Sequence, residues 1–211
     1  MPRTKPYHHG NLKESLLGAA VQLIAETGPA GFNLREVARR AGVSHNAPYR
    51  HFRDKDELLA DVATEGFQEL TAALNEGDDS GLSPIARLKR AGYSYVSFAL
   101  RRPEHFAAMF NPEATKTNGA TLAFLKGVID DCQREAQLPD GATEYRALLA
   151  WSLMHGIAKL AVSKSLPFRS QDEVFQFSVS AIDASIASLQ HPLDAATRAR
   201  AARVDSVITA E

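Results

Sequence analysis

The chain of 211 residues, 45% of them hydrophobic, is long enough to bury the core of one large domain or two small ones. It has no apolar run of about eighteen residues, which excludes a membrane-spanning helix, and its basic N-terminus lacks the apolar segment of a signal peptide. The net charge of −1 excludes a uniformly basic nucleic-acid binder, so any contact with phosphate must come from a local patch.

The chain begins with a short basic arm. Arg3 and Lys5 in this arm could reach phosphates or a minor groove, as arms do in some helix-turn-helix proteins, or the arm could be a disordered solubilising end. Asn11 then caps a first helix, with Glu14 completing a capping box. Gly28 ends this helix and opens a turn, because a glycine adopts the left-handed conformation without a steric cost.

Two short helices separated by a tight turn are predicted next. Asn33 caps the first helix, because its side chain accepts from an orphan backbone N–H, and Glu36 can complete a capping box. Gly42 supplies the left-handed residue that ends this helix, and Ser44 caps the second helix, residues 45–52. Helix, glycine turn and helix form the outline of a helix-turn-helix, whose second helix enters the DNA major groove, although any αα-hairpin shares this outline.

The surface chemistry of the second helix favours DNA, because its exposed residues are mostly hydrogen-bond donors. These residues are His45, Asn46, Tyr49, Arg50 and His51. Pro48 has no N–H and disfavours a helical conformation in the residue before it, so we expect a distorted first turn. Residues 1–60 carry nine Lys/Arg against six Asp/Glu, a net of +3, whereas the remainder carries fifteen against nineteen, a net of −4. The positive excess therefore lies in the segment expected to meet phosphate.

Residues 33–59, NLREVARRAGVSHNAPYRHFRDKDELL, resemble the DNA-binding domain of TetR-type repressors. The resemblance rests on the turn AGVS, on Tyr49, His51 and Phe52 at the end of the second helix, and on Lys55 in the Lys-x-x-Leu that follows. It implies an all-α protein. An N-terminal three-helix DNA-binding domain would contain the helix-turn-helix, and a C-terminal helical domain would bind an effector and dimerise.

The resemblance and the helix chemistry together assign a set of residues to DNA. His45 and Asn46 are expected to read base edges. Tyr49 and His51 would hold the backbone, and Arg50 would contact phosphate or guanine. The residues expected to contact DNA are Asn33, Arg35, Ser44, His45, Asn46, Ala47, Tyr49, Arg50, His51 and Lys55, with Arg3 and Lys5 from the arm.

Composition and the resemblance divide the chain into segments. Residues 1–54 are expected to form the DNA-binding domain with its arm, and residues 55–75 a connecting helix. Residues 76–84, EGDDSGLSP, have almost no apolar content and mark the domain boundary. Residues 84–190 would form the effector-binding and dimerisation domain, and residues 191–211 an Ala/Arg-rich tail with no assigned role.

The last two helices predicted in the second domain suggest a homodimer. The helix that begins after the capping box at Ser170 has apolar residues at intervals of four and three, with small residues beside them. Such a helix can bury one face in its own core and another against a second copy. Two such helices from each subunit would form a four-helix interface, and burial within one chain is the alternative. The residues expected at the interface are Leu153, Gly156, Leu160, Val179, Ile182, Ile186 and Leu189.

Aromatic side chains in the second domain suggest a small-molecule pocket. Trp151, His155 and Gly156 also resemble the tryptophan, histidine, glycine signature of one TetR-type C-terminal domain. His155 is the polar candidate, because imidazole can donate or accept a hydrogen bond. Packing of each aromatic in a plain core, and a core histidine bonded to a carbonyl, remain the alternatives. The residues expected to line the pocket are Tyr93, Phe98, Phe106, Met109, Phe110, Phe124, Trp151 and His155.

Catalytic and metal-binding motifs are not found in the sequence, which has no Gly-rich phosphate loop, nucleophile elbow, HExxH or zinc spacing. The single cysteine, Cys132, fits a reducing cytoplasm, so we expect a cytoplasmic protein without cofactor, metal or membrane association. The sequence therefore predicts a homodimeric repressor that binds double-stranded, palindromic operator DNA under the control of a small-molecule effector. A DNA-independent helical ligand- or partner-binding protein is the alternative, followed by an enzyme with an unsignalled site.

Overall fold

In the computed structural model the described residues are 12–77, 81–111 and 119–208. Every regular element within these ranges is helical, which confirms the all-α class. Arg3, Lys5 and Asn11, for which the sequence predicts roles, lie outside the described residues. A 3-10 helix, Pro48–Arg50, lies between the second and third α-helices. The α-helices are α1 (Leu12–Thr27), α2 (Leu34–Arg40), α3 (Lys55–Asn75), α4 (Pro84–Arg101), α5 (Pro103–Met109), α6 (Ala120–Arg134), α7 (Thr143–Val162), α8 (Gln171–Leu189) and α9 (Ala195–Ile208).

These helices form two compact units. The first unit contains the chain up to Gln68 together with α5, and the second contains the end of α3, then α4 and α6 to α9. The sequence places the boundary at residues 76–84, but the division falls within α3, because one long helix can contribute its two halves to different cores. Composition can identify a polar linker, but it cannot show that one helix is shared between two cores.

The core of the first unit brings α1, α3 and α5 together. The apolar stripe of α1 recurs at helical spacing, and Leu16, Ala20 and Leu23 are buried as expected. α5 packs against α1. α3 also approaches α5 closely at Gly66, where a Cβ would lie 2.6 Å from Sδ of Met109. α5 is therefore part of the first core, although the sequence assigned it to the effector domain.

α4, α6, α7 and α8 pack against one another to form the second core. A Cβ at Gly92 of α4 would lie 2.9 Å from Cγ2 of Ile182 on α8 and 3.1 Å from Sδ of Met154 on α7. Three helices therefore converge at a position where a side chain would separate them. α8 begins at the predicted cap, since the Ser170 hydroxyl accepts from the N–H of Glu173 at 3.1 Å.

α9 is an integral part of the second unit. It packs against α7, and Ala201 has no exposed surface. The Asp205 carboxylate accepts from the backbone N–H of Tyr145 at 2.9 Å, near the start of α7. This bond satisfies one of the donors that a helix N-terminus leaves unpaired, and the carboxylate complements the helix dipole there. The segment for which the sequence predicted no role therefore caps the first turn of α7.

Candidate nucleic-acid interface and apolar cleft

α2 begins at the predicted cap. Asn33 has an extended conformation, and its side-chain oxygen accepts from the backbone N–H of Glu36 at 3.0 Å. The Glu36 carboxylate pairs with Arg39 and forms no bond to the backbone of Asn33 within the described part of the chain. One half of the expected capping box is therefore formed, and the other half is replaced by an ion pair along the helix surface.

The turn after α2 has the geometry that ends a helix with a left-handed residue. Gly42 has φ +70°, a conformation that disfavours residues with a side chain. Its N–H donates to the carbonyl of Arg39 at 3.2 Å, and the N–H of Val43 donates to the carbonyl of Ala38 at 3.0 Å. These two bonds form a Schellman motif, which satisfies the last carbonyls of α2 and turns the chain toward the next element.

The segment after the turn is not the α-helix that the sequence predicts for residues 45–52. It contains a 3-10 helix at Pro48–Arg50 that has no side-chain cap. The prediction that Ser44 caps this segment is therefore wrong. Proline has no N–H, so the carbonyl of Ser44 accepts instead from the N–H of Ala47 at 2.9 Å. Phe52, which is 1% exposed, anchors the end of the segment in the core. The distortion expected at Pro48 therefore extends through the whole segment.

Most side chains assigned to DNA lie on the surface of this part of the first unit. Ala47 is the exception, because it is 9% exposed and is part of the core, so its assignment to DNA is wrong. Tyr49 is 54% exposed, a large fraction for an aromatic side chain with no role in the core. The exposed residues of the predicted set are Asn33, Arg35, Ser44, His45, Asn46, Tyr49, Arg50 and His51.

The basic residues of this surface fall into two classes. Arg39 and Arg40 pair with Glu36 and Glu26 and hold the pKa of these carboxyls below its usual value. Arg53 pairs with Asp54, whose pKa is lowered first by the backbone N–H of Glu57 and then by Arg53. Arg35 and Arg50 form no ion pair within the ranges that the structure describes. Unpaired surface guanidinium groups can bind phosphate without first giving up a carboxylate.

Lys55 lies at the first residue of α3, where the family pattern places a phosphate contact. Its Nζ lies 5.9 Å from the ring centroid of Phe32, which is buried. A cation over an aromatic face is weakly stabilised there. This contact positions the ammonium group beside the turn that precedes α2.

The aromatic residues predicted to line one pocket are divided between the two units. Phe106, Met109 and Phe110 belong to the first unit, where Phe106 and Met109 are buried and Phe110 makes an edge contact with Phe67 at 5.9 Å. The prediction that they line the effector pocket of the second domain is therefore wrong. Their position after the polar linker assigned them to the second domain, and position along the chain does not show which core a helix enters.

The remaining candidates lie in the second unit and do not line the apolar cleft between α7 and α8 that is described below. Phe98 is buried on α4, and Phe124 is half-buried on α6. The hydroxyl of Tyr93 donates to Oδ1 of Asp183 at 2.7 Å, and Lys89 approaches the same carboxylate at 3.0 Å. Burial and this bond raise the pKa of Tyr93 to about 12. Tyr93 therefore connects α4 with α8.

Trp151 and His155 lie together, as the sequence predicts from their spacing, with ring centroids 6.2 Å apart. Both contact Tyr95, which is 1% exposed. The indole N–H donates to its oxygen at 3.3 Å, and Nδ1 of His155 lies 3.0 Å from it. The indole N–H can only donate, so the Tyr95 oxygen accepts this bond. The Tyr95 hydroxyl can then donate a hydrogen bond to a neutral His155. Burial lowers the pKa of His155, which favours that neutral form. This network joins α4 to α7.

An apolar cleft lies elsewhere in the second unit, between α7 and α8. It has a volume of about 170 Å³. None of the predicted pocket residues lines it, whereas four residues of the predicted dimer interface do. The lining residues are Leu88, Leu149, Ala150, Leu153, Met154, Ile182, Ser185, Ile186, Ser188 and Leu189. The sequence had marked these helices as having two faces, but it gave no indication that a cavity lies between them.

The predicted dimer residues also separate into two groups. Three of them are buried in the core of their own chain: Ile182, Ile186 and Leu189. The prediction that these residues lie on an open interface is therefore wrong. Val179 and Gly156 are half-buried, and a Cβ on Gly156 would meet nothing within 4 Å. The exposed large apolar residues of α7 and α8 are Leu149, Leu153, Leu160 and Phe177, between 37% and 47% exposed. Leu149 lies on the same side of α7 as the predicted Leu153 and Leu160, and Phe177 is an addition that the sequence analysis missed.

No group of three or more potential metal-binding side chains is found in the described ranges. Cys132 is fully buried, and burial raises the pKa of its thiol to about 11, so it remains protonated at neutral pH. Among the described helices, none combines the length and the hydropathy that a membrane span requires.

Two family models match the chain. The model described as bacterial regulatory proteins, tetR family, matches residues 16–62, from the middle of α1 into α3. The model described as Tetracyclin repressor-like, C-terminal domain, matches residues 88–182, from α4 into α8. The first match includes α2, the Schellman turn and the 3-10 segment, and the second includes most of the second unit.

Solved structures agree with these matches. A protein with unknown function from Rhodococcus sp. RHA1 is 34% identical with a TM-score of 0.73, over 89% of this chain and 100% of that one. A transcriptional regulator from Rhodococcus sp. Rha1 is 25% identical with a TM-score of 0.67, over 84% and 95%. A bacterial regulatory protein in the tetR family from Rhodococcus RHA1, 17% identical with a TM-score of 0.70 over 86% and 98%, shares the fold. The chain belongs to the TetR family of transcriptional regulators, with a DNA-binding N-terminal domain and a ligand-binding C-terminal domain.

Proposed function

We propose that this regulator is a homodimeric repressor whose hold on a palindromic operator is controlled by a small molecule in the second unit. The observation that carries the proposal is the surface formed by α2, its turn and the 3-10 segment. That surface combines exposed hydrogen-bonding side chains with two arginines, Arg35 and Arg50, that have no carboxylate partner in the described residues. Such a surface suits a duplex, because phosphates supply charge and base edges supply donors and acceptors.

Within this surface the residues have distinct roles. Arg35 and Arg50 bind phosphates, and Tyr49 packs its exposed ring and hydroxyl against the sugar-phosphate backbone. His45 and Asn46, on the turn before the 3-10 helix, read base edges; an amide can form two bonds with adenine. The short segment has few internal hydrogen bonds, so we expect it to become more regular when it enters the groove.

The dimer forms through the exposed apolar face of α7 and α8. Leu149, Leu153 and Leu160 lie at helical spacing on α7, with Gly156 between them, and Phe177 adds an exposed ring from α8. An open glycine between exposed leucines allows a second helix to approach closely. Two helices from each copy would bury these side chains in a two-fold four-helix interface.

A ligand can control DNA binding only if it binds one arrangement of the dimer more tightly than another. Equal affinity for both would leave their populations unchanged. Operator binding needs the two recognition segments about 34–36 Å apart, one turn of DNA. A ligand that changes the packing of α7 and α8 changes the interface that sets this spacing. We propose that the ligand releases the repressor from DNA in this way.

The proposal is tested by binding to the DNA upstream of the gene for this protein. Fluorescence anisotropy should show tight binding that weakens steeply between about 50 and 200 mM salt, because counterions are released from phosphates. A scrambled duplex of the same composition should bind more weakly by about 10³-fold or more. A protein that binds neither duplex at low salt would instead be the DNA-independent ligand- or partner-binding protein.

A further inference from the structure

Arg40 and Glu26 form an ion pair that joins two helices of the first unit. Glu26 lies in the last turn of α1, and Arg40 is the last residue of α2. Nη1 and Nη2 of the guanidinium donate to Oε1 and Oε2 of the carboxylate, each at 2.7 Å. Two parallel bonds between planar groups fix an angle as well as a distance. The pair therefore restrains how the end of α2 lies on the end of α1.

Two other arginine pairs on this surface have a different character. Arg39 pairs with Glu36 within α2, and Arg53 pairs with Asp54, its neighbour in the chain. The side chains of Arg39 and Arg53 are 70% and 82% exposed, whereas that of Arg40 is 22% exposed. To reach a phosphate, the Arg40 guanidinium would have to leave both its packing and its two bonds. Arg40 is therefore suited to hold structure, and not to meet DNA.

The orientation of α2 determines where the recognition segment, residues 45–52, is placed. The Schellman turn at Gly42 joins this segment to α2. The 3-10 helix of the segment packs on α2, and α2 packs on α1. A rotation of α2 on α1 therefore displaces His45 and Asn46. Base reading tolerates little displacement, because hydrogen bonds weaken steeply with distance and angle, whereas attraction to phosphate acts over about 10 Å at 0.1 M salt.

We propose that Arg40 and Glu26 are positioning residues for sequence recognition, because their paired bonds hold α2 at the angle that lets the recognition segment reach base edges. This inference rests on the proposed reading of bases by His45 and Asn46. A partly exposed ion pair contributes little to the stability of a fold. Loss of the pair should therefore leave the protein folded and reduce its discrimination between DNA sequences.

A direct role of Arg40 in phosphate binding predicts the opposite result. If Arg40 exchanged Glu26 for a phosphate in the complex, Glu26→Gln would free the arginine and tighten binding to every duplex. If the pair positions α2, the same change weakens binding to the operator although it removes a negative charge from the protein. The sign of the effect of Glu26→Gln thus separates the two roles.

Fluorescence anisotropy of the full-length protein with the upstream duplex and the scrambled duplex measures this effect. Glu26→Gln should weaken binding to the upstream duplex by about fivefold or more, the lower end of what one good base contact contributes. Binding to the scrambled duplex and the dependence of log affinity on log salt should stay unchanged, because no phosphate contact is lost. A merely destabilised fold would weaken binding to both duplexes.

Two further variants separate geometry from charge. Arg40→Lys keeps the charge but cannot form two parallel bonds, so it should lose discrimination as Glu26→Gln does. It also covers the case in which Glu26→Gln does not fold. Glu36→Gln is the matched control, because it removes the same charge from a pair within α2 and should keep full discrimination. Undiminished discrimination in Glu26→Gln and Arg40→Lys, or tighter binding to both duplexes, would overturn the proposal.

Hydrogen exchange without DNA gives a second readout. The amides of residues 44–52 should exchange about threefold faster or more in Glu26→Gln than in the wild type or in Glu36→Gln, while those of α7 keep their rate. Unchanged exchange in residues 44–52 would overturn the proposal even if the wild type preferred neither duplex. Preference of the wild type for the upstream duplex decides the proposed operator binding separately, so the two failures are distinguishable.

Discussion

Arg35 and Arg50 differ from Arg39, Arg40 and Arg53 in one physical respect: no carboxylate in the described residues neutralises them. Residue types and the family pattern were sufficient to predict an exposed polar surface here. They could not predict which arginines are already paired, because Arg40 meets Glu26 from a different helix. Nor could they show that Ala47 is buried, since that depends on how the segment packs.

At this scale we predict that Arg50→Ala weakens binding to all DNA sequences and reduces the dependence of log affinity on log salt by about 1, the loss of one phosphate contact. Arg39→Ala is the control, because Arg39 is also exposed but is paired with Glu36. Anisotropy titrations at several salt concentrations measure both variants. An unchanged slope for Arg50→Ala, or an equal loss for the control, would remove Arg50 from the phosphate contacts.

Local signals predicted the elements better than they predicted tertiary partners. The caps at Asn33 and Ser170 and the glycine turn at Gly42 form as expected, because each depends on a few neighbouring residues. The α-helix expected over residues 45–52 fails because Pro48 removes a donor, and the sequence analysis underestimated how far that loss extends. The aromatic residues of α5 were assigned to the second domain, whereas α5 belongs to the first unit.

The turn after α2 allows a stability prediction at the scale of the element. Gly42→Ala should destabilise the protein by about 1 kcal/mol, because a side chain at φ +70° is strained. Gly18→Ala is the control, since Gly18 lies in α1 with open space around it and should gain roughly 0.5–1 kcal/mol of helix propensity. Urea unfolding followed by circular dichroism compares the two. Opposite signs are expected, and a neutral Gly42→Ala would mean that the turn carries no strain.

For the whole molecule, the family resemblance predicted two functional regions, and the structure locates the division between them inside a helix. The apolar periodicity of α8 predicted two buried faces, but only the face with Ile182 and Ile186 is buried within one chain. Which face remains open depends on how α7 packs beside it, and a single sequence does not specify that. The open face, with Leu149, Leu160 and Phe177, is the one through which we propose that a second copy binds.

Dimerisation through this face can be tested without disturbing either core. Gly156→Leu should fold normally, because a Cβ there meets nothing within 4 Å, but should block the approach of a second helix and lower the dimer affinity at least tenfold. Gly127→Leu on α6 is the matched control, since that glycine is also helical and a Cβ there also meets nothing within 4 Å. Sedimentation velocity over a range of concentrations measures both. A fully dimeric Gly156→Leu variant would place the interface elsewhere.

The central claim, that two copies place their Arg50-bearing segments in successive major grooves of one operator, is tested most directly by hydroxyl-radical footprinting on the upstream DNA. The account predicts two symmetric protected patches about 10–10.5 base pairs apart, or a multiple of that spacing, and their loss with the Gly156→Leu variant. A single patch, protection without two-fold symmetry, or no protection at low salt would contradict it.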